Sequence, residues 1–153
     1  CNAVSHLSAG IFEVYRTGDD TSGRLWSRTR AYGVNTLAFR LCQNDAFYKV
    51  DADCVGIIPG KIDWSLNRQW LHILSVSGSP LFISVKPDDI TDGIKEDIKK
   101  AFFRNSEQMD VAEPLDWLYN NQPQVWFING KKREYDFVEN SYPELLSGST
   151  QSY

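Results

Sequence analysis

The chain has 153 residues, with 42% apolar and 24% charged side chains, which is the make-up of a globular domain. A formal charge of −4 leaves no basic stripe for nucleic acid, and no apolar run nears the roughly 18 residues a membrane span needs. Three cysteines without framework spacing read as reduced thiols, and two histidines without CxxC or HxxxH spacing give no metal site.

Cys1 opens the chain with neither an initiator Met nor a leader, so the sequence reads as a piece of a larger protein. The first predicted strand spans 11–16, in "IFEVYR". A long helix is expected over 22–41, with Ser22 as N-cap. Trp26, Thr29, Gly33, Leu37 and Leu41 form its inner face. Gly33 in mid-helix marks close packing or a break.

A second strand lies in "AFYKVDADCVGII", where "FYKV" ends at Asp51 and "CVGII" resumes past a kink. The second helix, "DWSLNRQWLHILSVSG", has Trp64 as staple, Ser65 as cap and Gly78 as C′ residue. "LFISV" (81–85) is almost wholly apolar, as in a strand buried on both faces. The third helix, over 88–105, puts Ile90, Ile94, Ile98 and Phe102 on one side, with Asp88 as a cap. Its acids lie at the start and its bases at the end, as the helix dipole favours. "EPLDWLYNNQP" reads as a turn-rich cover, and "QVWFINGKKREYDFV" as a hairpin about Asn129-Gly130. The tail, "SGSTQSY", reads as a frayed end.

Strand and helix alternate with a period of about 35 residues, as in βα units of a parallel sheet. Three units cannot close a barrel, which needs eight and about 250 residues. Sites in such folds sit at the C-terminal ends of strands. There the sequence places Arg16, Gly18, Asp19 and Asp20, then Asp51, Asp53 and Cys54, then Lys86 and Asp88. Each carboxylate also suits a helix cap or a solvated turn. Cys54 has no His partner, so by itself it reads as a small core residue. No Gly-rich phosphate loop leaves a strand, and no G-x-S-x-G elbow is present.

These residues together resemble a known family. "CNAVSHLSAGIFEVYRTGDD" looks like the sixth-strand segment of the α-galactosidases of glycoside hydrolase family 36 and their relatives in family 27. Cys1, Gly10, Glu13, Arg16, Gly18 and Asp20 stand at the matching steps without a gap. "VDADC" resembles the Asp-Pro-Asp-Cys loop after the seventh strand. "IDWSLNRQWLHILSVSGSPLFIS" resembles the seventh helix and eighth strand.

The resemblance implies an α/β fold: strands six to eight of a TIM (β/α)₈ barrel over 1–123, then the first strands of a β-sandwich domain over 124–153. It implies retaining hydrolysis of an α-galactoside-like bond by two carboxylates. Asp20 would be the general acid/base. Arg16, Asp53, Cys54 and Gly18 would bind substrate, and Asp19 and Asp51 would tune the site. No cofactor is implied. The partners implied are a carbohydrate substrate and the rest of the barrel, which would bring the nucleophile from the fourth strand. Ala52 stands where the family has Pro, and Lys86 where relatives carry an acid or amide. Three alternatives share these residues: a carbohydrate-binding or scaffold remnant without catalysis, a galactosyl-transferring relative, and an unrelated small α/β protein.

Overall fold

A computed structural model describes residues 6–107 and 112–137. Cys1 and the tail from 138 onward lie outside the described residues.

Strand β1 (Val14–Arg16) pairs in parallel with β2 (Lys49–Asp51), in the register Arg16 opposite Asp51. The expected strand over 11–16 is thus half as long. Upstream, Ile11 N–H bonds back to the Ser8 carbonyl in a turn, and Ile11 and Phe12 stay exposed. After β2 the chain kinks at Asp53, which has φ +72, and resumes as β3 (Cys54–Ile57). The kink expected between Asp51 and "CVGII" is therefore present. Beyond it, β3 pairs in parallel with β4 (Phe82–Val85), so that Cys54 faces Phe82 and Ile57 faces Val85.

The kink splits the parallel strands into two pairs, β1-β2 and β3-β4. Among the described residues β1 and β4 each have one strand neighbour, and no barrel is closed. Strand β4 departs from its expected burial on both faces: Phe82 and Ser84 are exposed, while Ile83 and Val85 are half-buried. Side chains alternate between the two faces of the strand, and with only one face covered the burial alternates.

The first long helix is continuous but changes pitch. It runs as α1 (Trp26–Arg28), a π turn (Thr29–Val34) and α2 (Asn35–Arg40). Four-residue steps overshoot an α-helical turn by about a tenth, so such a stripe drifts around the helix. The wider π turn absorbs the drift. Trp26, Thr29, Leu37 and Leu41 accordingly all stay buried. Gly33 lies inside the π turn, where a Cβ would stand 2.9 Å from the Trp70 ring, so close packing is its reason, while the helix changes pitch there without breaking. Ser22 does not cap the helix. It has φ +34, and the helix starts at Trp26 after an uncapped Leu25. The chain at Ser22–Gly23 instead crosses directly over Gly56 of β3, where neither glycine has room for a Cβ.

The second helix, α3 (Trp64–Val76), is capped by Asp63, whose carboxylate accepts the Ser65 N–H at 2.8 Å. The cap lies two residues before the expected Ser65, because aspartate is at least as good an acceptor at that position. Trp64 instead donates its indole N–H to Asp97 of the third helix at 3.0 Å. Gly78 ends α3 with φ +74, as a C′ residue should.

The third helix, α4 (Asp92–Ser106), has Thr91 as its cap, while Asp88 sits in the exposed turn before it. Here the four-residue stripe does drift. Ile94 and Ile98 pack on the core, but Phe102 is 47% exposed and Ala101 takes the inner position. No π turn corrects the pitch in this helix. Gly93→Ala, on an open face of α4, should raise stability by about 1 kcal/mol. Gly33→Ala should lower it by about 1–3 kcal/mol through the clash with Trp70. Urea midpoints of the two variants should move in opposite directions.

Strands β5 (Glu113–Pro114), β6 (Val125–Ile128) and β7 (Lys131–Glu134) form an antiparallel sheet. Asn129 and Gly130 both take positive φ, as a two-residue hairpin turn requires. The boundary expected at 123/124 falls between β5 and β6 of this one sheet. The hairpin's Trp126, Ile128, Tyr135 and Phe137 join Trp26, Trp70 and Leu71 in a single core.

Two side chains of α3 hold the segment after the hairpin. Gln69 accepts the Asp136 N–H at 2.7 Å, and His72 Nδ1 is hydrogen-bonded to the Tyr135 hydroxyl at 2.7 Å. Burial first, then Arg104, Arg133 and Arg68, push His72 down to about 4. Unfolded, it takes its proton near pH 6.5. The stability from keeping this ring neutral is therefore complete above pH 6.5 and is lost as pH falls toward 4. Chemical unfolding at pH 7 and pH 4.5 should differ by about 1–2 kcal/mol from this ring, allowing for its partial exposure, and His72→Gln should remove that part.

Candidate functional site

The parallel pairing of β1 with β2 brings their C-terminal ends side by side and sets Arg16 against Asp51. Arg16 Nη2 bonds Asp20 Oδ1 at 2.7 Å and also bonds Asp53 Oδ1. One guanidinium therefore bridges the loop after β1 and the kink after β2. Burial lowers its affinity for a proton, but the charges of Asp53, then Asp20 and Asp51, outweigh this and raise its pKa. It stays a cation. Its Nε is buried and has no hydrogen-bond partner among the described residues.

Asp53 is held from both sides. Its Oδ2 accepts the Thr21 N–H at 2.6 Å, its Oδ1 meets Arg16, and its own N–H donates to Asp51 Oδ1 at 2.7 Å. The left-handed φ at Asp53 makes this turn possible. Asp51 is pushed above the ordinary carboxylate range, chiefly by burial. The Thr21 hydroxyl donates to the Cys54 carbonyl at 2.6 Å and lies 3.0 Å from Asp53 Oδ2. Buried Thr21 thus ties the first loop to the second.

The adjacent acids divide. Asp19 accepts the Asp20 N–H at 2.7 Å through Oδ1 and Arg28 at 3.0 Å through Oδ2. Arg28 in turn lies over the Tyr32 ring, 4.9 Å from its centroid. Asp19 is therefore a brace between its own loop and the helix. The Asp20 side chain is 56% exposed, against 14% for Asp53 and 25% for Asp19. Of these three acids it is the one a ligand reaches most freely.

Gly18 is buried, with its backbone against the Tyr32 carbonyl and Thr36, where a Cβ has no room. The Cys54 carbonyl accepts from the Trp70 indole at 3.2 Å as well as from Thr21. Burial, then the charge of Asp53, raises the Cys54 thiol to about 11, so it is protonated at neutral pH. Lys86 and Asp88 stand apart. Strand β4 pairs beyond the kink, so its C-terminal end lies beside Ile57 and not beside Asp51.

The structure thus joins Arg16, Asp20, Asp51 and Asp53, braces them with Asp19, and packs Gly18 and Cys54 behind them. Thr21, Arg28 and Tyr32 complete the cluster and have no sequence motif of their own. The adjacency of Thr21 to Asp20 was the one available signal. Four carboxylates face two guanidiniums that are already paired, which suits a hydroxyl-rich neutral ligand better than a phosphate. Among the described residues no group of His, Cys, Asp and Glu is arranged to hold a metal ion, and no helix is long and apolar enough to cross a membrane. In comparisons with family models, curated proteins and solved structures, the chain matches none of them at a significant level.

Proposed function

We propose that the chain is the C-terminal part of a (β/α)₈ barrel from a retaining glycoside hydrolase acting on α-galactoside-like bonds, with Asp20 as its general acid/base. The observation that carries this reading is the bridge of Arg16 between Asp20 and Asp53, with Asp20 open to solvent. A general acid must reach the leaving oxygen, and a group that later deprotonates water must reach water. Asp20 meets both needs. Asp53 has its oxygens engaged by Thr21 and Arg16, which suits positioning.

In this reading Asp20 protonates the departing oxygen while a second carboxylate attacks the anomeric carbon from the opposite face. Asp20 then takes a proton from water as the glycosyl–enzyme bond is cleaved. Arg16 holds the Asp20 carboxylate in position and presents its guanidinium edge to a sugar hydroxyl. Retaining chemistry sets the two carboxyls about 5–5.5 Å apart, and the nucleophile would come from the fourth strand of the complete barrel. Among the described residues β1 and β4 each have one side without a strand neighbour, and Val14 of β1 and the preceding Ile11 and Phe12 are exposed, which supports a place for further strands.

The isolated chain should therefore not turn over an aryl α-galactoside, as a release assay will show. The full reading frame should encode an aspartate at a fourth-strand end, with a lysine two residues before it. A full-length product without that acid and without turnover would remove the hydrolase reading and leave a sugar-binding remnant.

A further inference from the structure

The loop between β5 and β6 is firmly held, yet it turns its largest apolar side chains outward. The Asp116 carboxylate accepts the N–H groups of Gln124 at 3.1 Å and Val125 at 3.0 Å, and the Asn120 side-chain amide at 3.3 Å. The Asp116 carbonyl accepts the N–H groups of Tyr119 and Asn120, both at 3.0 Å. Asn120 Oδ1 accepts the Gln122 N–H at 2.9 Å, and Asn35 of α2 donates to the Asn121 carbonyl at 2.5 Å. Despite this bracing, Trp117 is 47% and Tyr119 92% exposed. Phe39 of α2 meets Trp117 edge to face, with centroids 6.1 Å apart, and fixes the indole.

These side chains line a groove of about 480 Å³. Small-molecule sites span about 300–1,000 Å³. Phe39, Trp117, Leu118 and Tyr119 supply its apolar lining, and Asn120 and Gln122 are among the amides that also line it. Among the described residues no charged side chain lines it, so these offer no counter-charge to a phosphate, a carboxylate or a cation. Gln122 is only 4% exposed, and its Oε1 is buried without a hydrogen-bond partner. Sugar rings suit both kinds of lining: the C–H face of a pyranose lies on an aromatic ring, and its hydroxyls pair with amides.

We propose that this groove is a binding site for a neutral saccharide, separate from the carboxylate cluster and independent of its chemistry. The test is an NMR titration of the full chain with raffinose and with cellotriose, following the Trp117 indole N–H. At least one sugar should give a saturable shift with a Kd on the order of 1 mM. Trp117→Ala should abolish binding, and Tyr119→Ala, at a position too exposed to disturb folding, should weaken it about fivefold. Asp20→Ala should leave it unchanged. Three results would overturn the proposal: no saturable shift with either sugar, binding that is lost in Asp20→Ala and kept in Trp117→Ala, or self-association of the chain that Trp117→Ala abolishes.

Discussion

If the proposed reading holds, Asp20→Ala in the full-length protein should slow cleavage of an α-galactoside with a poor leaving group by about 10²–10⁴-fold, the usual contribution of a positioned acid/base. The loss should depend on the leaving group. An alkoxide departs only when protonated, so a disaccharide should suffer most. A dinitrophenolate leaves without help, so bond cleavage should be nearly intact for that substrate, and removal of the glycosyl group from the enzyme should become limiting. A burst of dinitrophenol followed by slow turnover is the expected trace. Folding should not suffer, because Asp20 is half-exposed and its ion pair with Arg16 is a surface one. A loss of the same size for every leaving group would assign Asp20 another role.

Gly56→Ala should be among the most damaging of the glycine changes, at about 3 kcal/mol or more, and it should act through backbone. A Cβ on Gly56 would meet the carbonyl carbon and oxygen of Ser22 and the nitrogen of Gly23. None of these is the free end of a side chain, so the clash cannot be relieved by a rotamer change. Gly23 itself has φ +74 and no room for a Cβ, so the two strands of chain have nowhere to part. The Gly56 carbonyl also accepts from buried Asn67 at 2.8 Å, and a shift there would strand that amide. The crossing follows directly on Thr21. Moving it would loosen the Thr21–Asp53 bond and with it the placement of Arg16. Urea unfolding should show a much lower midpoint, and Gly60→Ala, where open space surrounds the glycine, should not share this clash.

Local chemistry made parts of this structure legible in the sequence. Asn129-Gly130 announced its turn because two consecutive positive φ angles suit few other residues. Gly78 and the acid-to-base polarity of α4 were legible for similar reasons. Arg16 and Asp20 were both placed at the end of the first strand, and the structure joins them in an ion pair. What stayed hidden was set by distant contacts. The Thr21–Asp53 bond spans 32 residues, and Arg28 reaches Asp19 from within a helix whose start the sequence misplaced. Phe102 shows the limit of periodicity: the same four-residue step stays buried where a π turn corrects it and drifts outward where none does. Ala52, where the resemblance would place a proline, is fully buried between β2 and the kink.

The most direct measurement on the central claim is the anomeric configuration of the product that the full-length Asp20→Ala variant forms with azide. If Asp20 is the acid/base of a retaining site, azide needs no base to attack the glycosyl–enzyme intermediate. It takes the place of water on the face that Asp20 guards. Turnover of dinitrophenyl α-galactoside should then recover, with α-galactosyl azide as the product. A β-galactosyl azide would make Asp20 the nucleophile, and the absence of any azide adduct, with turnover unrestored, would contradict its assignment as the acid/base.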